Sequence, residues 1–587
     1  MIWWAERPQR ARAERAGIAE LADRAEWLDN VRWPRRDDMD LVAQFEIIHH
    51  GEAKAFTIRY PGYFPDVPPV IAPVDDIVVS GHQYGRGGEL CLEWRTDNWH
   101  PDVTGAMMIE SAWRLLSGEQ PAPDDYRDVA SAHQLTQGQQ VRNAKLRLHL
   151  ESDTRVALMA LPQLTLAPLA VEEYNEAGNV MARPSRIGEE EAPLWRAQTG
   201  LQRVVRTQGY AVRLPPESHI AVKADYGFLE TLFAMIGDRG AIDLLAHSDV
   251  DVPVLIADHD VVRLLLLRNG TGPRSVLEYR TITFPLAQNR LSEDHQTLAQ
   301  KSVAILGCGS VGSKIAASLA RSGVGSFVLV DGDIFFPDNI VRNDLDWHAV
   351  ALNKPDALGE RLKAIAPDVT IDKRRIAFGG QESAETSQAA MLRIGRCDLI
   401  IDATADPQVF NLAASVARTE RKSMIWGIVY AGGIGGLIAR ARPDKEPPPL
   451  LARQQIIAWG ERHDMPWAGG DDGRYGTSAD AEAPPLVADD ADVSVIAAHM
   501  TRMAIDTLIR DESIYPFSAY AMGLQEEWIF DAPFDTWPIS LALEGSWGLD
   551  ITPDWVDEFT AFTAEMKADA DADVEATVGA DMDNPAQ

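Results

Sequence analysis

At 587 residues the chain is too long for a single core and points to three or four domains. Hydrophobic content of 46% and charged content of 24% are ordinary for a globular protein, while a formal net charge of −33 argues against a nucleic-acid partner, which would need a basic face. Three scattered cysteines, Cys91, Cys308 and Cys397, make neither a disulfide framework nor a CxxC zinc pair, which points to a reducing, cytoplasmic setting. The first residues turn at once from Met-Ile-Trp-Trp to Arg- and Glu-rich sequence, so no secretory segment is expected, and no apolar run is long enough to suggest a membrane span.

Residues 1–150 form the first expected domain, of α+β class. A polar, Ala/Arg-rich stretch from Ala11 to Leu28 predicts a helix, Leu41 to Ile48 alternates like a strand, and Thr104 to Leu116 predicts a helix that ends before Pro121 and Pro123. Between them run Tyr60-Pro61-Gly-Tyr-Phe64-Pro65-Asp-Val-Pro68-Pro69-Val70, His82-Gln83-Tyr84, Gly87-Gly88-Glu-Leu90-Cys91-Leu92 and Trp99-His100-Pro101. A lone cysteine is ordinarily a small buried apolar residue. Here a glycine pair precedes Cys91 and a Trp-rich polar loop follows it, which suits a partly exposed, reactive thiolate.

These segments, over about residues 40–120, resemble the core of ubiquitin-conjugating enzymes. The resemblance implies that Cys91 carries an acyl group as a thioester. Where that family has His-Pro-Asn, whose amide supports the oxyanion, this chain has His82-Gln83-Tyr84, so Tyr84 or His100 is the candidate replacement. Each could equally serve packing or loop structure.

Residues 151–285 carry no assignable motif. Strand-like pieces at Val254–Ala257, Val261–Leu267 and Ser275–Phe284, with a helix pattern over Tyr226–Ile236, suggest a mixed connecting domain.

From residue 286 to 562 strands alternate with helices, the pattern of a parallel α/β sheet. Lys301 to Leu306 reads as a buried strand, followed by Gly307-Cys-Gly309-Ser-Val-Gly312 and a helix over Ser313–Ser322. The glycines allow backbone N–H groups to approach a phosphate at the positive end of a helix. A second strand, Ser326–Val330, ends on Asp331, where a carboxylate can hold ribose hydroxyls. Taken alone, this says "nucleotide", with NAD as the default.

The continuation reads Asp331-Gly-Asp333-Ile-Phe-Phe-Pro-Asp-Asn339-Ile-Val-Arg342-Asn343, then Lys354, then Asp402-Ala-Thr-Ala-Asp406 after the strand Asp398–Ile401. Over about residues 285–530 this resembles the ThiF/MoeB-type adenylation domain of ubiquitin-activating enzymes. The resemblance implies ATP bound by Gly307, Gly309, Gly312, Asp331, Asp333, Asn339, Arg342 and Lys354. It also implies Mg²⁺ on Asp406, with Asp402 the less favoured ligand because the usual Asp-x-x-Asp is here Asp-x-x-x-Asp. Arg342 and Lys354 would neutralise phosphate oxygens as the acyl carboxylate attacks. Arg290, before the first strand, would reach a partner subunit's ATP and so implies a homodimer.

Ubiquitin-activating enzymes use a cysteine on the crossover loop, expected here around Glu446 to Val493, yet that stretch has none. The acyl group would pass directly to Cys91 or by way of an oxyester on Thr477 or Ser478. Cys308, inside the glycine turn, and Cys397, before a strand, read as structural. The order of domains resembles bacterial fusion enzymes of CBASS antiphage signalling and related ubiquitin-like operons. That implies a donor protein, ubiquitin-like or of CD-NTase type, ending in Gly and joined to a target Lys amine. Rival readings are a sulfur-carrier adenylyltransferase, an NAD-dependent oxidoreductase and a non-catalytic scaffold binding a ubiquitin-like partner. Residues 563–587, alternating Ala with Asp/Glu, read as a disordered acidic tail.

Overall fold

The computed structural model describes the chain apart from residues 1, 35–39, 76, 85–87, most of 124–143, 198–203, 216–221, 248, 260, 270–273, 284–291, 466–487, 549–553 and 583–587. Gly87, Arg290, Thr477 and Ser478 lie outside the described residues. Residues 1–284 and 285–587 form two compact units.

After a single helical turn at Trp3–Glu6, the first unit continues with helix α1 (Pro8–Arg24), placed by a proline in its first turn. It is shorter than the Ala11–Leu28 expectation at its C-terminal end, because Leu28 starts strand β1 (Leu28–Arg32). Strands β2 (Leu41–His49), β3 (Glu52–Tyr60) and β4 (Val70–Pro73) complete an antiparallel four-stranded meander in chain order. The β2–β3 turn is tight: His50 and Gly51 both have positive φ, the twist a two-residue hairpin needs. A two-residue ladder, β5 (Gln83–Tyr84) with β6 (Glu89–Leu90), precedes helix α2 (Gly105–Glu119), whose N-cap Thr104 accepts from Met107 N–H. Buried Glu14 of α1 ties these pieces together. It accepts from the Gly105 amide at 2.6 Å and the Tyr60 hydroxyl at 2.9 Å, and pairs with Arg10.

A second sheet follows, from β7 (Leu146–Leu150), β8 (Leu166–Glu176), β9 (Asn179–Gly188), β10 (Pro193–Arg196), β11 (Val205–Arg213), β12 (Val252–Asp258), β13 (Val261–Arg268) and β14 (Ser275–Thr283). Its order is β10-β9-β7-β14-β13-β12-β11-β8, and β8 also pairs with β9. The ends therefore meet, and all but β10 close into a ring. Ala167, Leu169, Leu148, Leu255, Leu264 and Tyr279 belong to one buried cluster of this sheet. Its opposite face packs Val254, Ile256 and Leu265 against Leu229, Leu232 and Phe233 of helix α4, where α3 is Ser152–Met159 and α4 is Tyr226–Ile236. The expected boundary at residue 150 cuts this ring: β7 pairs in parallel with β14 and β9, so the second body already begins at Leu146.

The second unit holds β15 (Ser302–Leu306), β16 (Ser326–Val330), β17 (Thr370–Arg374), β18 (Leu399–Asp402), β19 (Ser423–Val429), β20 (Gly435–Ala441), β21 (Ala519–Gly523) and β22 (Thr536–Ile539). The order is β17-β16-β15-β18-β19-β20-β21-β22. The first five run parallel, as the alternating pattern predicts, whereas β20 to β22 extend the sheet antiparallel. Buried clusters lie on both faces, one including helices α5 (Ser310–Arg321), α6 (Lys354–Ile365) and α7 (Asp490–Ile509), the other α8 (Pro407–Thr419) and α9 (Pro449–Arg462). The antiparallel extension is pinned by a fully buried ion pair, Arg440 of β20 with Asp506 of α7 at 2.8 Å. Burial works against the Asp506 charge, but hydrogen bonds from Ser513 and Arg440 outweigh it and hold the carboxyl below its usual range.

One expectation is overturned. Residues 563–582 of the expected disordered tail lie in helix α10 (Trp555–Met582), and the tail's last five residues lie outside the described residues. Alanine-rich sequence has high helix propensity, so a segment that offers little to a core can still be helical.

Removing one partner of the Arg440–Asp506 pair leaves a buried charge uncompensated. Asp506→Ala should cost the second unit about 3–5 kcal/mol in denaturant unfolding, and Arg440→Met with Asp506→Leu should recover most of that loss.

Candidate functional site

The sequence reading singles out two candidate sites, one in each unit. The nucleotide-type site grows from the β15–α5 turn, where strand order reverses between β15 and β18. Gly307 has φ of +86° and donates its amide to Val330 O at 2.9 Å, and a Cβ there would press on Thr404 at 2.8 Å. A Cβ on Gly312 would collide with the Gly307 carbonyl, so this glycine permits close strand–helix approach. Gly309 differs: nothing lies within 4 Å of where its Cβ would be, and it caps α5 without any side chain serving the helix N–H groups. Open space before uncapped N–H groups fits a phosphate.

Asp331 braces this turn. Its two carboxylate oxygens accept from the Cys308 amide at 2.7 Å and the Asp333 amide at 2.8 Å, and burial pushes its carboxyl up. Asp333 pairs with Lys354 Nζ at 2.8 Å and accepts the Lys354 amide through its own carbonyl, so the first residue of α6 is tied to it twice. Asn339 accepts the Phe336 amide at 3.0 Å and orders a short helical turn that carries Arg342, which is half-buried. Asn343, quoted in the motif but given no role there, is buried. It donates to Cys308 O at 3.3 Å and accepts the Leu345 amide, joining this segment to the glycine turn.

The two aspartates after β18 have different situations. Asp402 is buried at the strand end opposite Leu306, accepts both the Thr404 amide and hydroxyl, and is pushed up to about 6 by burial. Asp406 is exposed and N-caps α8, its Oδ1 accepting the Gln408 and Val409 amides. The extra residue in Asp-x-x-x-Asp is absorbed by Ala405, held at φ of +57°. The charge of Asp402 acts on Arg453 of α9, whose guanidinium lies 4.6 Å from the Phe410 ring centre. Thr404 lies within the Asp402–Asp406 run, though no role is read for it there; nothing local in sequence announces Arg453, which the fold places near Asp402. Among the described residues no cluster of three or more metal-ligating side chains exists, which is compatible with an ion held by one carboxylate and phosphate oxygens.

The second site is the strand end after β6. Leu90 and Leu92 are buried, so alternation turns the intervening Cys91 away from the core, and it is half-buried. Its amide donates to His82 O at 2.8 Å, extending the β5–β6 ladder. Gln83, between His82 and the Tyr84 that stands in the asparagine's slot, is spent on the loop. It accepts the Val79 and Ser80 amides and donates to Ile77 and Gly88 carbonyls. Tyr84 is exposed beside Cys91, its phenol raised by partial burial, then by the charges of Glu89 and Cys91. His100 stands on an exposed turn, where it pairs with Asp102 at 3.2 Å. Behind the loop, buried Glu119 accepts the Gly81 amide and lies 3.9 Å from the buried ring of His82, a pair that sequence reasoning missed. Trp99 donates to Pro65 O, anchoring the loop that follows Cys91.

The other two thiols are buried. Burial raises Cys397 to about 11, and raises Cys308 well above its usual value with the charge of Asp331 adding to it. No helix among the described residues is long and apolar enough to cross a membrane.

Residues 282–447 match the ThiF family. The Vibrio cholerae ATP-dependent ubiquitin transferase-like protein Cap2 is 36% identical over 141 residues, 23% of this chain and 22% of that protein. Its Pseudomonas aeruginosa counterpart is 32% identical over 125 residues, 21% of each chain. Ubiquitin-like modifier-activating enzyme 5 of Bombyx mori is 33% identical over 112 residues, 18% of this chain and 28% of that one. These matches thus span roughly a fifth to just over a quarter of the relatives' own length. Among solved structures, Escherichia coli MccB reaches a TM-score of 0.34 at 15% identity, over 44% of this chain and 68% of that one, too slight a likeness to argue from.

Two outcomes follow from this geometry. Under native conditions at pH 8, iodoacetamide should label Cys91, with Cys308 and Cys397 protected until unfolding, as read by peptide mass mapping. Asp406→Ala should cost about 1 kcal/mol by loss of the α8 cap, while Asp406→Asn, which keeps an acceptor, should cost only a few tenths in the same denaturant titration.

Proposed function

We propose that the chain adenylates the C-terminal carboxylate of a protein with ATP and then carries the acyl group on Cys91 as a thioester before passing it to an amine. One observation carries the first half: the open face of Gly309 at an uncapped helix end, on a turn whose Cys308 amide Asp331 accepts, inside a segment that matches the ThiF family. The likeness to Cap2 supports a ubiquitin-like chemistry, and the helix, four-stranded meander, cysteine loop and helix of residues 8–119 support a conjugating-type domain.

In this reading the glycine-turn amides receive phosphate oxygens, and the Asp331 brace keeps them aimed. A donor carboxylate oxygen forms a bond to the α-phosphorus while pyrophosphate leaves. Two anions meet in that step, so Arg342 and Lys354 are placed to offset the charge. Mg²⁺ would add positive charge at the phosphates, held by Asp406 through its exposed carboxylate or by Asp402. The Cys91 thiolate then attacks the acyl carbon and AMP leaves. Last, a target Lys amine attacks the thioester, a proton leaves the nitrogen, and the thiolate is regenerated. Tyr84, beside Cys91, is the nearer candidate to steady the oxyanion, and His100 the second. The donor is a ubiquitin-like or CD-NTase-type protein ending in Gly. A homodimer completed by Arg290, and a cytoplasmic location, belong to the same proposal.

With its donor present, the protein should exchange labelled pyrophosphate into ATP, and Arg342→Ala or Asp406→Asn should lower the rate about 100-fold or more. Cys91→Ala should retain exchange yet form no reductant-sensitive donor adduct on a gel. A reductant-resistant adduct in that variant would redirect the pathway to Thr477 or Ser478, and undiminished exchange in both ATP-site variants would sink the adenylation reading.

A further inference from the structure

Helix α10 has an apolar face that the described residues leave about half exposed. Trp555, Val556, Phe559, Phe562 and Met566 are each roughly half exposed, from 47% to 57%. At about 100° per residue, Trp555, Phe559, Phe562 and Met566 fall within about 60° of one another, and at 1.5 Å per residue they make a stripe about 17 Å long. Their 4-3-4 spacing is that of a seam meant to pack against another surface. Among the described residues the only hydrogen bond from the helix to the chain outside it is the Glu558 amide to the adjacent Asp554 carbonyl, and no ion pair joins it; Thr560 and Thr563 bond only within it. An aromatic stripe of this size is seldom left to water without a use.

The charges say what covers it. Glu558, Glu565 and Asp569 line one flank of the stripe, and the helix carries eight Asp/Glu against Lys567 alone. A second copy fits poorly: an antiparallel pair sets Glu558 against Glu565, and a parallel pair stacks Asp569 on Asp569 along the seam.

We propose that α10 is a docking helix for a different protein, one that offers an apolar groove about three helical turns long with Lys or Arg residues along one wall. The aromatic stripe supplies the buried contact, and the acidic flank sets orientation and speeds encounter. This assignment does not depend on the adenylation reading, and its test reads binding, not activity.

The full chain carrying a benzophenone amino acid at Phe562 should be irradiated in the cells that produce it, with the same group at Thr560, on another side of the helix, as control. A single adduct with one other protein is expected from position 562 and none from 560. Glu558→Lys, Glu565→Lys and Asp569→Lys together should lower its yield about tenfold or more. Replacing basic residues near the cross-linked site of the captured protein by Glu should restore it. The proposal is overturned by an adduct confined to the chain itself or to a second copy, by a yield indifferent to charge reversal, by no adduct at all, or by recruitment of the helix to phosphatidylcholine vesicles instead.

Discussion

The second unit depends on how closely its first helix approaches its first strand. Gly312 has no room for a side chain against the Gly307 carbonyl, and that proximity aims the amides at the head of α5 away from the sheet and toward the carboxyl ends of β15 and β18. The Asp331 carboxylate then locks the turn from the other side by accepting the Cys308 and Asp333 amides. Everything nearby is built on this clamp: Asp333 fixes Lys354, and Asn343 fastens the Arg342 segment to Cys308 O. A carboxylate that spacing alone would assign to a ribose is thus, in the structure, a brace for the turn.

Elements with strong periodicity were legible in the sequence. The strand Ser326–Val330 and the helix Tyr226–Ile236 have the bounds their patterns predict. The sheet ring was not legible. Its closure rests on β8 finding β9 and β11 at once, and on β7 lying parallel to β14, pairings that leave no mark in any short window. For the same reason residue 150 looked like a boundary when it is the end of a paired strand.

At the candidate sites, motif spacing picked out residues but not how each is held. Motif spacing brought out Asp402 and Asp406, yet burial distinguishes them: one is sealed under Thr404 hydrogen bonds, the other caps a helix in the open. Likewise, Tyr84 stands where the conjugating-type motif would lead one to expect an amide, while the one amide in that run, Gln83, is spent on four backbone groups of the loop. The acidic C-terminal stretch misled because its composition was weighed for packing alone, and helix propensity does not require packing.

The closed ring also bears on when the chain can fold. Strand β7 near residue 147 takes a parallel partner near residue 280, so the ring cannot shut until the last of its strands has left the ribosome. The meander before it needs no such wait, since β1 to β4 pair with their immediate successors. Nascent chains stalled before residue 275 would then present a finished first domain followed by an open sheet, with the edges of β7 and β13 that β14 joins left without their partner. That stretch is the interval of synthesis in which this protein most needs a chaperone.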